Sequence, residues 1–251
     1  MMIDFHAHLR RDPQTKQYLI EEQLRDMQAH HLAYRVLSTF DGASMTAANS
    51  AVMDLHRQYP QIIPCAAINP KLDEAVEETH RVLSSGEVKI IELDSLECGY
   101  LPEKLELAIN DVLAVCAQYQ AVVKIFTGST HRGAPDQWLK YFQRFPQQTF
   151  VLLHMGAGDF QYGTIDLCQE NPNLMLETSV ACEAPALQQA LKRLAPERIL
   201  FGSNFPDYFT ELEIMKFNFY GLTEAQKQAI YAQNACRLLP DCFKAGTEEI
   251  Q

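Results

Sequence analysis

Short apolar runs recur along this chain between longer stretches in which apolar positions return every three or four residues. Eight such runs read as strands: Met2–His6, Tyr34–Thr39, Ile62–Ile68, Val88–Leu93, Ala121–Phe126, Thr149–His154, Leu174–Thr178 and Arg198–Phe201. Their apolar residues are nearly continuous rather than alternating, as expected of parallel strands buried on both faces. The stretches between them carry helix signals. Pro102 follows Leu101 at a first helical turn, and Leu105, Ile109, Leu113 and Cys116 follow at helical spacing. Thr223-Glu224-Ala225-Gln226 has the form of a capping box, and Ser84-Ser85-Gly86 closes the third helix.

Eight β–α units in 251 residues predict a (β/α)8 TIM barrel. A doubly wound sheet would need the same alternation, but usually with fewer strands and a glycine-rich turn after the first. Here that turn reads Phe5-His6-Ala7-His8-Leu9, without glycine. No linker or repeat divides the chain, so residues 1–251 are expected to form one domain, with the polar 244–251 as a frayed tail.

The composition is that of an ordinary globular protein, and the formal net charge of −11 argues against nucleic acid and anionic membranes as partners. No apolar run approaches the roughly 20 residues of a membrane span. The chain opens on Met1-Met2-Ile3-Asp4 without a signal-peptide pattern, and its seven scattered cysteines form no Cys-x-x-Cys pair. The expectation is a cytoplasmic protein with reduced thiols. A homo-oligomer is compatible with the sequence, though no residue argues for it.

In a barrel, chemistry gathers at the carboxyl ends of the strands. Asp4, His6 and His8 are spaced two apart on the first strand, which predicts that all three point the same way. Two imidazoles on one side of a strand end suit a borderline divalent ion such as zinc. His154, where the sixth strand meets its loop, reads as a ligand, a general base or a capping residue. His30, His31, His56 and His80 fall in predicted outer helices. Glu92 interrupts the fourth strand and is too costly to bury unpaired, so it either meets a metal ion or sits in a salt bridge. Lys124 on the fifth strand poses the same question, and a Glu92–Lys124 ion pair would explain both. Arg10 and Arg132 lie on loops at the mouth, where a guanidinium can grip a substrate carboxylate.

Four segments together resemble the amidohydrolase superfamily, in its branch of amidohydrolase-related TIM-barrel metal-dependent hydrolases. They are Ile3-Asp4-Phe5-His6-Ala7-His8-Leu9, His154-Met155-Gly156, Leu200-Phe201-Gly202-Ser203-Asn204-Phe205-Pro206 and Asn234-Ala235-Cys236-Arg237-Leu238-Leu239. The resemblance implies a metal held by His6, His8, Glu92 and His154, or by the first three with His154 as base. Two positions depart from the family pattern. Asn204 stands where an aspartate normally ligates and takes a proton from water, and an amide has no useful basicity. Phe126 stands where a histidine is usual. The implied activity is hydrolysis of an amide, ester or lactone in a small, possibly carboxylated molecule, with His154 and Asn204 at the reaction. The same branch contains decarboxylases and hydratases, so a lyase is the alternative. A barrel that has lost catalysis and only binds a ligand or partner is the third reading, motivated by Asn204 and Phe126.

Overall fold

Eight parallel strands follow one another around a barrel in chain order in the computed structural model, which describes residues 1–181 and 183–243. They are β1 (Ile3–His8), β2 (Tyr34–Ser38), β3 (Ile62–Ala67), β4 (Ile90–Leu93), β5 (Val122–Gly128), β6 (Phe150–Ala157), β7 (Leu174–Glu177) and β8 (Ile199–Leu200). Each lies within three residues of its predicted bounds. The barrel closes between the last and first strands: the Phe5 N–H donates to the Phe201 carbonyl at 2.9 Å, and the His8 N–H to the Phe205 carbonyl at 2.8 Å.

The outer helices are α1 (Ile20–Ala29), α2 (Met45–Gln58), α3 (Ala75–Ser84), α4 (Glu106–Gln118), α5 (Leu139–Arg144), α6 (Gln161–Glu170), α7 (Ala184–Arg193) and α8 (Thr210–Met215). Two short helices, α9 (Glu224–Gln228) and α10 (Asn234–Leu238), finish the described chain. The capping box at Thr223 forms in both directions, while Pro102 opens a 3-10 turn just ahead of α4. Ile109, Leu113 and Cys116 on α4 are buried with Val82 and Leu83 of α3, the apolar stripe that the spacing predicts. No helix among the described residues is long and apolar enough to cross a membrane. Six cysteines are free thiols. Cys182 and the tail 244–251 lie outside the described residues.

Ile3, Phe5, Val36, Cys65, Ile90 and Val151 belong to one cluster that fills the barrel and seats the polar site above it. The shared direction expected of Asp4, His6 and His8 does not hold. Asp4 pairs with Arg35 and Ala7 with Leu37, so β1 carries one more residue than β2 over that interval. This β-bulge reverses the alternation. His6 and His8 turn into the mouth, whereas Asp4 meets Arg35, whose guanidinium also reaches Gln23 and Asp26 of α1.

Candidate active site

The bulge brings two imidazoles together at the head of β1, with ring centroids 4.8 Å apart and planes nearly perpendicular. Across the barrel, Glu92 on β4 meets His8, Nε2 to Oε1, at 2.9 Å. Its other oxygen accepts from Ser38 Oγ at 2.8 Å and lies 2.9 Å from Lys124 Nζ. Glu92 and Lys124 are direct register partners on β4 and β5, which is why two buried charges on neighbouring strands can meet. Burial alone would raise the Glu92 pKa, but Lys124 and the two histidines hold it well below the ordinary range. One ligand atom from each of His6, His8 and Glu92 falls within a 4.8 Å group, and all three residues are buried.

His6 is fully buried, yet neither ring nitrogen has a hydrogen-bond partner. Burial, with Lys124 nearby, keeps its pKa well below the usual value, so the ring is neutral. Burial lowers the His8 pKa as well, but Glu92 and Asp207 outweigh it and raise it to about 9. The His154 ring stands 5.0 Å from that of His6 and 5.4 Å from Phe126, outside the three-residue group. Burial and the His8 charge bring its pKa down to about 3.

His154 and Asn204 both adopt left-handed backbone, with φ of 62° and 52°. Such a conformation is uncommon for residues other than glycine and needs support from its surroundings. At His154 the support is Glu177 of β7, whose carboxylate accepts the His154 N–H at 3.1 Å. At Asn204 it is the seam with β1, where the Asn204 N–H donates to the His6 carbonyl at 2.8 Å. The Asn204 side-chain oxygen is buried and unpartnered. Ser203, one residue earlier, donates its hydroxyl and its N–H to Asp4, at 2.6 and 2.9 Å. Asp4 therefore fixes the turn that carries Asn204, although it never faces the site.

At the rim, Arg10 donates to Asp207 at 2.6 Å and to Glu97 at 3.2 Å. Asp207 also lies 3.7 Å from His8 Nδ1, and its contacts with His8 and Arg10 push its pKa below the carboxylate range. Phe40 meets His8 edge-on at 5.7 Å and lines a cavity of about 310 Å³ together with Thr39, Asn69, Leu72 and Glu97. That volume is at the small end of ligand pockets. Lys124 is fully buried and engaged by Glu92, and Arg132 is exposed on the turn after β5. The structure thus groups His6, His8, Glu92, Lys124 and His154, places Arg10 at the rim, and leaves Arg132 apart.

Sequence reasoning missed Glu177 and Ser179. A carboxylate ending the apolar run Leu174-Met175-Leu176-Glu177 is the same signal that marked Glu92. Gly202 makes room for it: a Cβ there would fall 2.1 Å from Glu177 Oε1. Gly202→Ala is therefore expected to cost about 1–3 kcal/mol, because a carboxylate held by several donors cannot move aside cheaply. Urea denaturation checks this, and an unchanged midpoint would contradict the packing described.

An eight-stranded parallel barrel with two histidines and a carboxylate at its carboxyl-terminal mouth defines the class of protein. The chain belongs to the amidohydrolase family (the amidohydrolase-2 branch), whose model matches residues 3–240. Its fold is shared with 5-carboxyvanillate decarboxylase from Sphingomonas paucimobilis, at a TM-score of 0.74 and 14% identity over 95% of this chain and 98% of that one. The crystal structure of 5-carboxyvanillate decarboxylase from Novosphingobium aromaticivorans, with bound manganese, matches at 0.74 and 14%, covering 95% and 96%. A probable 2-pyrone-4,6-dicarboxylic acid hydrolase from Acinetobacter baumannii matches at 0.68 and 16%, covering 94% and 98%. Comparison with functionally curated proteins finds no match.

Proposed function

We propose that the chain is a metal-dependent hydrolase of a small carboxylated molecule, with His6, His8 and Glu92 holding a divalent ion. The observation that carries this reading is His6, a buried neutral imidazole with both nitrogens unpartnered beside a second imidazole and a carboxylate. A buried polar group left without a partner costs about 1–3 kcal/mol, and a ligand that fills the site removes that cost. Two histidines and a glutamate form one of the donor sets of catalytic zinc. Zinc is the ion this reading expects, and the manganese of the Novosphingobium structure makes manganese the second to test. When bound, such an ion supplies Lewis acidity and an activated water.

The chain's own residues do the rest. His154, neutral with its pKa lowered to about 3, offers its Nε2 lone pair beside the three-residue group as a hydrogen-bond acceptor that orients the substrate. Asn204 offers an amide to the substrate in place of a carboxylate. Lys124 neutralises Glu92 from below, and Arg10, fixed by Asp207 and Glu97, presents its remaining N–H groups to a carboxylate at the rim.

Asn204 favours one second reading, a decarboxylase. Breaking a carbon–carbon bond to carbon dioxide requires no base for a water nucleophile, and two of the structural neighbours are carboxyvanillate decarboxylases. Products separate the two. Zinc- or manganese-loaded protein is expected to open carboxylated lactones or esters into hydrolysis fragments. Carbon dioxide from aromatic acids instead would establish the decarboxylase, and no turnover by the loaded protein would leave a barrel that only binds.

A further inference from the structure

His154 is held by more than its place on the strand. Its Nδ1 lies 2.9 Å from Ser179 Oγ, and Ser179 Oγ donates to Glu177 Oε2 at 2.8 Å. The direct His154 Nδ1–Glu177 distance is 3.9 Å, too long for a hydrogen bond, so the hydroxyl is the link. The same carboxylate accepts the backbone N–H of His154 at 3.1 Å and of Ser179 at 2.6 Å. Glu177 and Ser179 are fully buried. One group therefore sets both the left-handed backbone of His154 and the orientation of its ring.

The direction of the hydrogen bonds follows from proton accounting. Burial raises the Glu177 pKa to about 7, so above neutral pH it is a carboxylate, and Ser179 gives its one hydroxyl proton to it. Ser179 Oγ can then only accept from the imidazole, which makes Nδ1 the protonated nitrogen. A neutral ring so arranged carries its lone pair on Nε2, which makes no hydrogen bond among the described residues.

We propose that Ser179 and Glu177 are positioning residues that lock His154 in its Nδ1–H tautomer and keep the Nε2 lone pair available to the substrate. The proposal rests on the reading that His154 faces the reacting molecule, but the tautomer is a property of the protein that can be measured without turnover. Without the relay the ring would exchange between tautomers and rotamers, and only a fraction of molecules would offer Nε2 as acceptor. Gly202 belongs to the same device, since any side chain there would displace Glu177.

The test is nitrogen-15 NMR of histidine-labelled full-length protein, as purified and after chelation, with His154→Gln assigning the signal. The expected wild-type spectrum, recorded above neutral pH where Glu177 is ionised, has a protonated Nδ1 and an unprotonated Nε2. Ser179→Ala is expected to spread His154 over both tautomers and to lower kcat by about 10–100-fold with little change in KM, as for other groups that orient a functional histidine. Ser179→Thr, which keeps the hydroxyl, restores both. A wild type protonated at Nε2, or a Ser179→Ala spectrum indistinguishable from wild type, overturns the proposal whatever the enzyme does. A tautomer change in Ser179→Ala with turnover unaltered upholds the lock and overturns the role of His154 as a hydrogen-bond acceptor for the substrate.

Discussion

Arg35→Ala is expected to lower the unfolding free energy by about 3–5 kcal/mol, the usual consequence of removing one partner of a buried ion pair. Arg35 is fully buried, and its guanidinium donates to Asp4 at 2.8 Å, to Asp26 at 2.5 Å and to Gln23 at 2.8 Å. It also lies over the Phe205 ring at 4.9 Å. Truncation leaves the Asp4 carboxylate buried without a counter-charge. Asp4 holds the turn at Ser203 through two further bonds, so the closure of β8 on β1 loosens with it. Thermal denaturation should show a fall of roughly 6–20 °C for a chain of this size. The double variant Asp4→Asn/Arg35→Met should recover part of that loss, because the fully buried Asp4 charge is then gone and only Asp26, which is partly exposed, loses the guanidinium. A single variant as stable as wild type would contradict the role given to this pair.

His6→Leu should separate stability from function. Both ring nitrogens of His6 are buried and unpartnered, so replacing the ring by an apolar side chain of similar size removes an uncompensated polar group. The metal-free variant is expected to be as stable as wild type, or more so by about 1–3 kcal/mol. Turnover is expected to fall by at least about 10³-fold, since metal assistance contributes several kcal/mol to the barrier. Denaturation and kinetics on the same preparation check both parts. A large loss of stability would assign His6 a structural role instead.

The barrel was legible because parallel strands buried on both faces leave apolar runs that need no three-dimensional information to see. The departures lie where one residue depends on another far along the chain. His6-Ala7-His8 is a plain alternating pattern, yet a bulge that arises from pairing with β2 turns Asp4 away from it. Glu92 and Lys124, by contrast, each stood out as a charge in an apolar run, and the ion pair read from them forms because β4 and β5 place them in register. His154 was visible, and Glu177 carried the same signal as Glu92, but nothing in the local spacing ties Glu177 or Ser179 to His154 across the neighbouring strands. Arg10 and Arg132 looked alike in sequence. Only loop geometry places one between Asp207 and Glu97 and leaves the other exposed.

The measurement closest to the central claim is the metal content of protein purified without chelator or affinity metal, determined by plasma mass spectrometry beside a His6→Ala/His8→Ala variant. The account predicts close to one equivalent of zinc or manganese in the wild type and none in the variant. A wild type that is empty and takes up neither ion when supplied, or a variant that keeps its metal, would contradict it.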